Sequence, residues 1–271
     1  MDKRIHSKNA DYQKFDVLKT NRNKRYKYGE FFVEGVRNIN EAVKNNWCIS
    51  SFIYTDEKEL SGWAKNIINT VKTEINYILT SALMNELSDK TDTSELLAVV
   101  KMKQFDFSAV TLSENPIIVL FDRPSNKGTL IRSCDSFGAD AIIITGHCVD
   151  QYDSEVIAAS MGSFFGIPVI KADTNTLLES IIVSLKKKYN DFQVVATTAH
   201  KQTTIYEVNL TKPCMLMIGN ETDGLSNFLY DLADMNATIP MALNSSATSF
   251  NVACAATVVL YEIIRQRGKN I

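Results

Sequence analysis

The sequence has no run of about 18 apolar residues, so no spanning helix is expected. Its first residues, Met1-Asp2-Lys3-Arg4-Ile5-His6, lack the apolar stretch of a secretory signal, and a cytoplasmic location is expected. Histidine is scarce, with only His6, His147 and His200. The five cysteines, Cys48, Cys134, Cys148, Cys214 and Cys254, are scattered, and no two form a C-x-x-C pair. An odd, dispersed set reads as reduced thiols, mostly buried. The adjacent His147 and Cys148 have no further ligands at matching spacing, so no metal is expected. Neither a G-x-G-x-x-G turn nor a P-loop occurs, which argues against an unrelated nucleotide-binding α/β enzyme. Internal repeats and low-complexity segments are also missing.

What remains is an ordinary globular composition. The 271 residues are 45% hydrophobic and 22% charged, enough for a real core in one large or two ordinary domains. The net charge of −2 does not suit a protein that coats nucleic acid indiscriminately. The charge is uneven, however. Residues 1–30 carry nine Lys/Arg against four acids, or +5, while residues 111–271 carry twelve against sixteen, or −4. A basic leading arm suits either phosphate contact or a solvated helix face.

Periodicity divides the chain in two. The first half reads as a helix over 11–28, a strand over 31–33, a helix over 35–46 and a strand over 51–54. A helix over 63–71, a strand over 75–79, a short helix capped by Thr80-Ser81 and ending at Leu87, and a strand over 96–100 follow. This is an α/β unit of about 100 residues, with residues 103–115 as a linker. In the second half, strands are expected over 117–121, 141–145, 194–197, 215–218 and 237–239. Helices are expected over 129–137, 154–161, 176–189, 225–232 and 249–267. Apolar strands separated by helices imply a buried parallel sheet, which binds ligands beyond the carboxyl ends of its strands.

Three segments at those ends hold unusual polar clusters. In the first, running from Asn126 to Gly138, Gly128 permits a tight strand-to-helix turn, and the helix start offers free N–H groups to a ligand. Arg132 is then either turned towards that ligand or an ordinary surface arginine. In the second, Gly219-Asn220-Glu221-Thr222-Asp223-Gly224-Leu225-Ser226, Glu221 is a ligand contact, an arginine partner or a helix-capping acid. The third runs from Ile239-Pro240-Met241 to Ser249-Phe250-Asn251-Val252 and a helix rich in small residues, where Ser249 and Asn251 also suit capping.

In order, spacing and residue type the three segments together resemble the SpoU (TrmH) family of RNA ribose 2′-O-methyltransferases, within the SPOUT superfamily. The resemblance rests on Asn126, Gly128, Arg132 and Phe137-Gly138, on Gly219 to Ser226, and on Ile239-Pro240-Met241 with Ser249-Phe250-Asn251-Val252. Between them, Ala159-Ser160-Met161-Gly162-Ser163 followed by Pro168 resembles the family's Ser-x-Gly segment. Two departures stand out: Phe250 replaces a usual leucine, and Lys127 fills a position that is usually small or apolar. More loosely, Phe32 to Val36 and Asp92 to Val99 resemble the ribosomal-protein-like domain that precedes the catalytic domain in many members.

The resemblance implies an α/β protein with a C-terminal SPOUT domain (112–271), a parallel sheet and a deep trefoil knot. A small α/β ribosomal-protein-like RNA-binding domain (1–105) would precede it. S-adenosylmethionine would be the cofactor, held by Thr197, Thr198, Ala199, Gly219, Asn220, Ile239, Met241 and Ser249. Arg132 would act on the ribose 2′-hydroxyl, assisted by Asn126, Glu221, Ser249 and Asn251. The implied partner is RNA, with 23S ribosomal RNA favoured over tRNA, and a second copy of the chain packed through the knot region. Val252, Ala255, Ala256, Val259 and Leu260 would belong either to that interface or to the core. A non-catalytic RNA-binding protein of the same fold is the alternative from another class.

Overall fold

The computed structural model describes residues 2–147, 150–199 and 203–268. In chain order its first elements are β1 (Asp2–Ile5), α1 (Ala10–Thr20), α2 (Arg22–Tyr28), β2 (Glu30–Glu34), α3 (Val36–Lys44) and β3 (Ile49–Tyr54). Then come α4 (Gly62–Thr70), β4 (Asn76–Leu79), α5 (Ser81–Leu87), β5 (Leu96–Lys101), β6 (Ile117–Asp122), α6 (Lys127–Ser136) and β7 (Ala141–Thr145). Next are α7 (Ser154–Ser160), α8 (Ser163–Gly166), β8 (Val169–Ala172), α9 (Asn175–Lys188), β9 (Gln193–Thr197) and β10 (Thr203–Thr204). The last are β11 (Cys214–Ile218), α10 (Asn227–Leu232), β12 (Met235–Thr238) and α11 (Val252–Arg267). No helix among the described residues is long and apolar enough to cross a membrane.

Two compact units result: residues 2–103 with 150–166, and residues 104–147 with 167–268. The first is built on a mixed sheet of order β1-β4-β3-β5-β2. Here the single helix expected over 11–28 is broken. Asn21 takes an extended conformation between α1 and α2, and its side chain accepts from Lys24 N at 3.1 Å. An asparagine that satisfies a helix-start N–H this way competes with helix continuation. Strand β1 was not expected. It is a charged edge, Asp-Lys-Arg-Ile, with only Ile5 buried, so it has no apolar alternation to detect.

The leading arm is folded, and most of its charge is already matched. Lys3 pairs with Asp11, Arg4 with Asp56, Lys8 with Glu86, Lys14 with Glu30, Lys19 with Asp89, and Arg25 with Asp150 and Asp153. Six of the arm's nine cations are thus paired with carboxylates of the protein.

Residues 150–166, which the sequence groups with the second half, dock inside the first unit. Arg25, 1% exposed, donates from Nε to Asp150 at 2.7 Å and from Nη2 to Asp153 at 2.9 Å. Its Nη1 donates to the carbonyls of Leu18 and Lys19. Asp150 also accepts from the Tyr26 hydroxyl and the Tyr152 N–H, so this buried ion pair is fully hydrogen-bonded. Beside it Phe31, Trp47, Tyr152, Phe164 and Phe165 interlock, mostly edge-to-face, with Phe31–Tyr152 centroids 5.0 Å apart and Trp47–Phe165 5.3 Å. Burial pushes the Tyr152 phenol up to about 12.

The second unit is a seven-stranded sheet of order β10-β12-β9-β11-β6-β7-β8, parallel at every pairing. Strands β6 and β11 are buried along their whole length, which is why they read as unbroken apolar runs. Strands β8 and β10, not expected from the sequence, are the short outer ones. Helix α11 is anchored by Arg267, which donates to the carbonyls of Asn115, Lys212 and Leu210 just before β6 and β11. Its C-terminal end thus lies at the amino ends of the strands, and its N-terminus at their carboxyl ends. Helix α6, a crossover between parallel neighbours β6 and β7, runs the same way, and Ser133 meets Thr257 of α11 at 2.9 Å. Val252, Ala256, Val259 and Leu260 are buried and Ala255 is half-buried, so these positions form core rather than an exposed interface.

The four described cysteines divide evenly. Among the described residues Cys134 and Cys214 are buried, whereas Cys48 and Cys254 are exposed. Cys148 lies outside the described residues. Burial pushes the Cys214 thiol up to about 11 and that of Cys134 up as well. A thiol reagent at neutral pH is expected to label Cys48 and Cys254 in the native protein, and Cys134 and Cys214 only after denaturation. Peptide mapping of the labelled sites checks this; native labelling of Cys214 would contradict the burial.

Candidate functional site

Parallel pairing brings the segments singled out in the sequence to one edge. Strands β12, β9 and β11 are neighbours, with Ala237 level with Thr197 and Ala196 level with Met217. Their carboxyl ends therefore stand in a row and deliver Thr197–Ala199, Gly219–Gly224 and Ile239–Met241 side by side. The N-termini of α6 and α11, with Asn126, Ser249 and Asn251, open on the same edge. Ligands bind parallel sheets at this end.

The loop after β11 is held by close backbone contact. Asn220 and Gly224 exchange N–H···O bonds of 3.2 and 3.3 Å, and the Asn220 carboxamide oxygen accepts from Thr222 N and Asp223 N. A Cβ on Gly219 would stand 2.1 Å from the Gly224 carbonyl carbon and 2.3 Å from Leu225 N. Both are backbone atoms that cannot swing away. Gly219→Ala is therefore expected to distort the loop and destabilise the protein by about 1–3 kcal/mol, with Thr222→Ala neutral. Urea unfolding checks it; wild-type stability in Gly219→Ala would contradict the geometry.

The expected site residues take distinct places. Thr197 donates its hydroxyl to the Met217 carbonyl at 3.1 Å, and Thr198 N donates to Ala237 O at 2.9 Å, tying β9 to both neighbours. Ile239 and Met241 are half-buried, while Ala199 and Ser249 are exposed. Asn251 caps α11, its carboxamide oxygen accepting from Ala253 N and Cys254 N. Asn126 begins α6 without a side-chain capping bond and is exposed. Glu221 accepts from the Ser125 hydroxyl at 2.8 Å, so the carboxylate links the loops after β6 and β11. Arg132 is exposed, with no hydrogen-bond or ion-pair partner among the described residues. In this arrangement Glu221, Asn126 and Asn251 are not bonded to it. His200 lies outside the described residues.

Sequence reasoning missed the anchor of this edge. Asp122, 4% exposed at the end of β6, accepts from the Thr145 hydroxyl at 2.9 Å, from Ser226 N at 3.1 Å and from Arg123 at 3.3 Å. Arg123 reaches Asp223 at 3.1 Å and the Gly224 carbonyl at 3.4 Å. One carboxylate and one guanidinium thus join the ends of β6, β7 and β11. The left-handed residue of the first loop is Arg123, at φ 49°, whereas Gly128, expected to make the turn, lies within helix α6. A buried acid ending an apolar run was the available signal. Among the described residues, no group of three His, Cys, Asp or Glu side chains is placed to hold a metal ion.

Comparison with known proteins bears on what this edge does. The model of the SpoU rRNA methylase family matches residues 115–261, which is more than half of the chain. The chain belongs to the SpoU rRNA methylase family. Residues 9–98 match the SpoU L30e-like domain, so the family's two-part build extends over nearly the whole chain. A 23S rRNA (uridine(2479)-2′-O)-methyltransferase of Streptomyces viridochromogenes is 39% identical over 269 residues, covering 98% of this chain and 93% of that protein. The 23S rRNA (guanosine(2553)-2′-O)-methyltransferase RlmP of Bacillus subtilis is 25% identical over 257 residues, covering 95% and 97%. The crystal structure of the SpoU methyltransferase AviRb from Streptomyces viridochromogenes in complex with AdoMet superposes with a TM-score of 0.88. It is 37% identical and covers 97% of this chain and 100% of that one. As a SpoU family member the chain has the SPOUT-type parallel α/β fold, preceded by an L30e-like domain.

Proposed function

We propose that this chain transfers a methyl group from S-adenosylmethionine to a ribose 2′-hydroxyl of 23S ribosomal RNA in the cytoplasm. The observation that carries the reading is the convergence, at one edge of the parallel sheet, of the N-termini of α6 and α11 with the loops after β9, β11 and β12. This occurs in a chain that aligns along 98% of its length with a 23S rRNA 2′-O-methyltransferase.

The residues fit the cofactor. Thr197–Ala199, Gly219-Asn220 and Ile239–Met241 carry no charged side chain, and they present main-chain groups and a glycine. That chemistry suits an adenine ring and the methionine chain, which main-chain N–H and C=O groups can hydrogen-bond. When bound, S-adenosylmethionine supplies an electrophilic methyl on a sulfonium, a good leaving group. What the protein must add is position and a way to stabilise the hydroxyl as it loses its proton. Arg132 is assigned that task. A guanidinium, always charged, is a poor base, so its role is to hold an RNA phosphate and favour the developing alkoxide. Asn126, Ser249 and Asn251, at the same edge, are assigned to the ribose. Glu221, through Ser125, holds the first loop in place.

Residues 1–105 are assigned to RNA binding and 112–271 to catalysis, with the C-terminal chain threaded as a trefoil knot. A homodimer through the knot region is proposed on the exposed apolar side chains Leu243, Phe250, Val258 and Tyr261.

Incubation with radiolabelled S-adenosylmethionine and separately purified 23S rRNA and tRNA tests the reading. Label in 23S rRNA alone is expected; label in tRNA alone, or in neither, would overturn it.

A further inference from the structure

Helix α2 stands apart from the rest of the leading arm. Its sequence, Arg22-Asn23-Lys24-Arg25-Tyr26-Lys27-Tyr28, contains four cations and no acid. Arg25 points inward to Asp150 and Asp153, and at 100° per residue this fixes the outward arc of the helix. Asn23 and Lys27 occupy that arc; Tyr26 borders it on one side, and half-buried Lys24 followed by Tyr28 on the other. Both rings are open to solvent, at 46% and 44% exposure. Neither dangles. The Tyr26 hydroxyl donates to the buried Asp150 carboxylate at 3.2 Å, and Arg22 lies 5.7 Å from its ring centroid. Lys14 sits 5.2 Å from the Tyr28 centroid. The other lysines of the arm, Lys3, Lys8, Lys14 and Lys19, are each matched by a carboxylate. Lys24 and Lys27 enter no salt bridge with the described residues.

We infer that the outward face of α2 is a docking surface for a single-stranded segment of the substrate RNA. Phosphates would lie along Lys24 and Lys27, and unstacked bases would rest on the rings of Tyr26 and Tyr28. Charge complementarity selects the partner: a strip of lysines without carboxylates, bordered by preset aromatic rings, is what a polyanion with planar bases requires. A peptide or a second copy of this mildly acidic chain offers no matching row of planar groups. Pre-set rings also spare the ordering cost that flexible side chains would impose on binding. The inference rests on the rRNA reading above and deepens it by naming the contact surface.

Three variants of the full chain test it: Lys24→Gln/Lys27→Gln, Tyr28→Leu and Tyr28→Phe, with Lys8→Gln as the control from the paired part of the arm. Binding to purified 23S rRNA is measured by filter retention over a salt series, together with KM and kcat for methyl transfer. The double lysine variant is expected to weaken binding and flatten the salt slope by about 1.4, from two single-strand phosphate contacts. Tyr28→Leu is expected to weaken binding on the order of tenfold with the slope kept, and Tyr28→Phe to retain wild-type affinity. KM for RNA should rise in the weakened variants at unchanged kcat. Wild-type affinity and slope in both weakened variants would overturn this inference alone. Failure of the wild-type protein to bind or methylate 23S rRNA would overturn the underlying reading as well.

Discussion

Arg132→Ala is expected to lower methyl transfer by about 10²- to 10³-fold, the loss seen when one pre-placed donor to a developing oxyanion is removed. Cofactor affinity should not change, because Arg132 is assigned to the RNA phosphate, whereas the cofactor is assigned to the loops after β9, β11 and β12. Stability should not change either, since the exposed guanidinium engages no other described side chain. Single-turnover rates with S-adenosylmethionine and 23S rRNA, alongside calorimetric cofactor binding, separate the two effects. Arg132→Lys should recover little, because a point charge lacks the planar fork that holds a phosphate and a ribose oxygen together. Full activity in Arg132→Ala would remove it from the mechanism.

The second large effect concerns folding. Arg25→Ala is expected to destabilise the protein by about 3–5 kcal/mol, the usual cost of removing one partner from a buried ion pair. The loss is large because Asp150 stays behind, 6% exposed, with the charge of its cation gone. Exposed pairs such as Lys65–Glu59 have no such penalty, and Lys65→Ala should fall within the scatter of surface substitutions. Arg25→Met combined with Asp150→Asn should recover part of the loss by removing both charges. Urea unfolding followed by tryptophan fluorescence reports directly, since Trp47 packs in the aromatic cluster that Tyr152, Phe164 and Phe165 complete. A stable Arg25→Ala protein would mean that residues 150–166 are held by the aromatic contacts alone.

The parts of this fold that were legible in the sequence are those whose cause is local. Strands β6 and β11 announce themselves because burial on both faces demands unbroken apolar runs. Thr80 caps α5 as expected, its hydroxyl accepting from Leu83 N. The parts that escaped have distant causes. Residues 150–166 join the first unit through an ion pair spanning 125 positions, and Glu221 finds Ser125 across 96. Neither partner is marked by its own surroundings in the chain. The break at Asn21 turns on one carboxamide oxygen choosing Lys24 N, within a stretch whose polarity suits a helix throughout. At the candidate site, the glycines and polar residues at strand ends located the edge, and the resemblance supplied roles. Asp122, the buried acid that ties the edge together, was passed over because it closes an apolar strand instead of opening a polar motif.

The most direct test of the central claim is where the methyl group goes on the nucleotide. Alkaline cleavage of RNA requires attack by a free 2′-hydroxyl on the adjacent phosphate, so a 2′-O-methylated residue leaves an uncut dinucleotide. After transfer from radiolabelled S-adenosylmethionine to 23S rRNA and complete alkaline hydrolysis, the account predicts label in an alkali-resistant dinucleotide. Label released with mononucleotides would place the methyl on a base and contradict it.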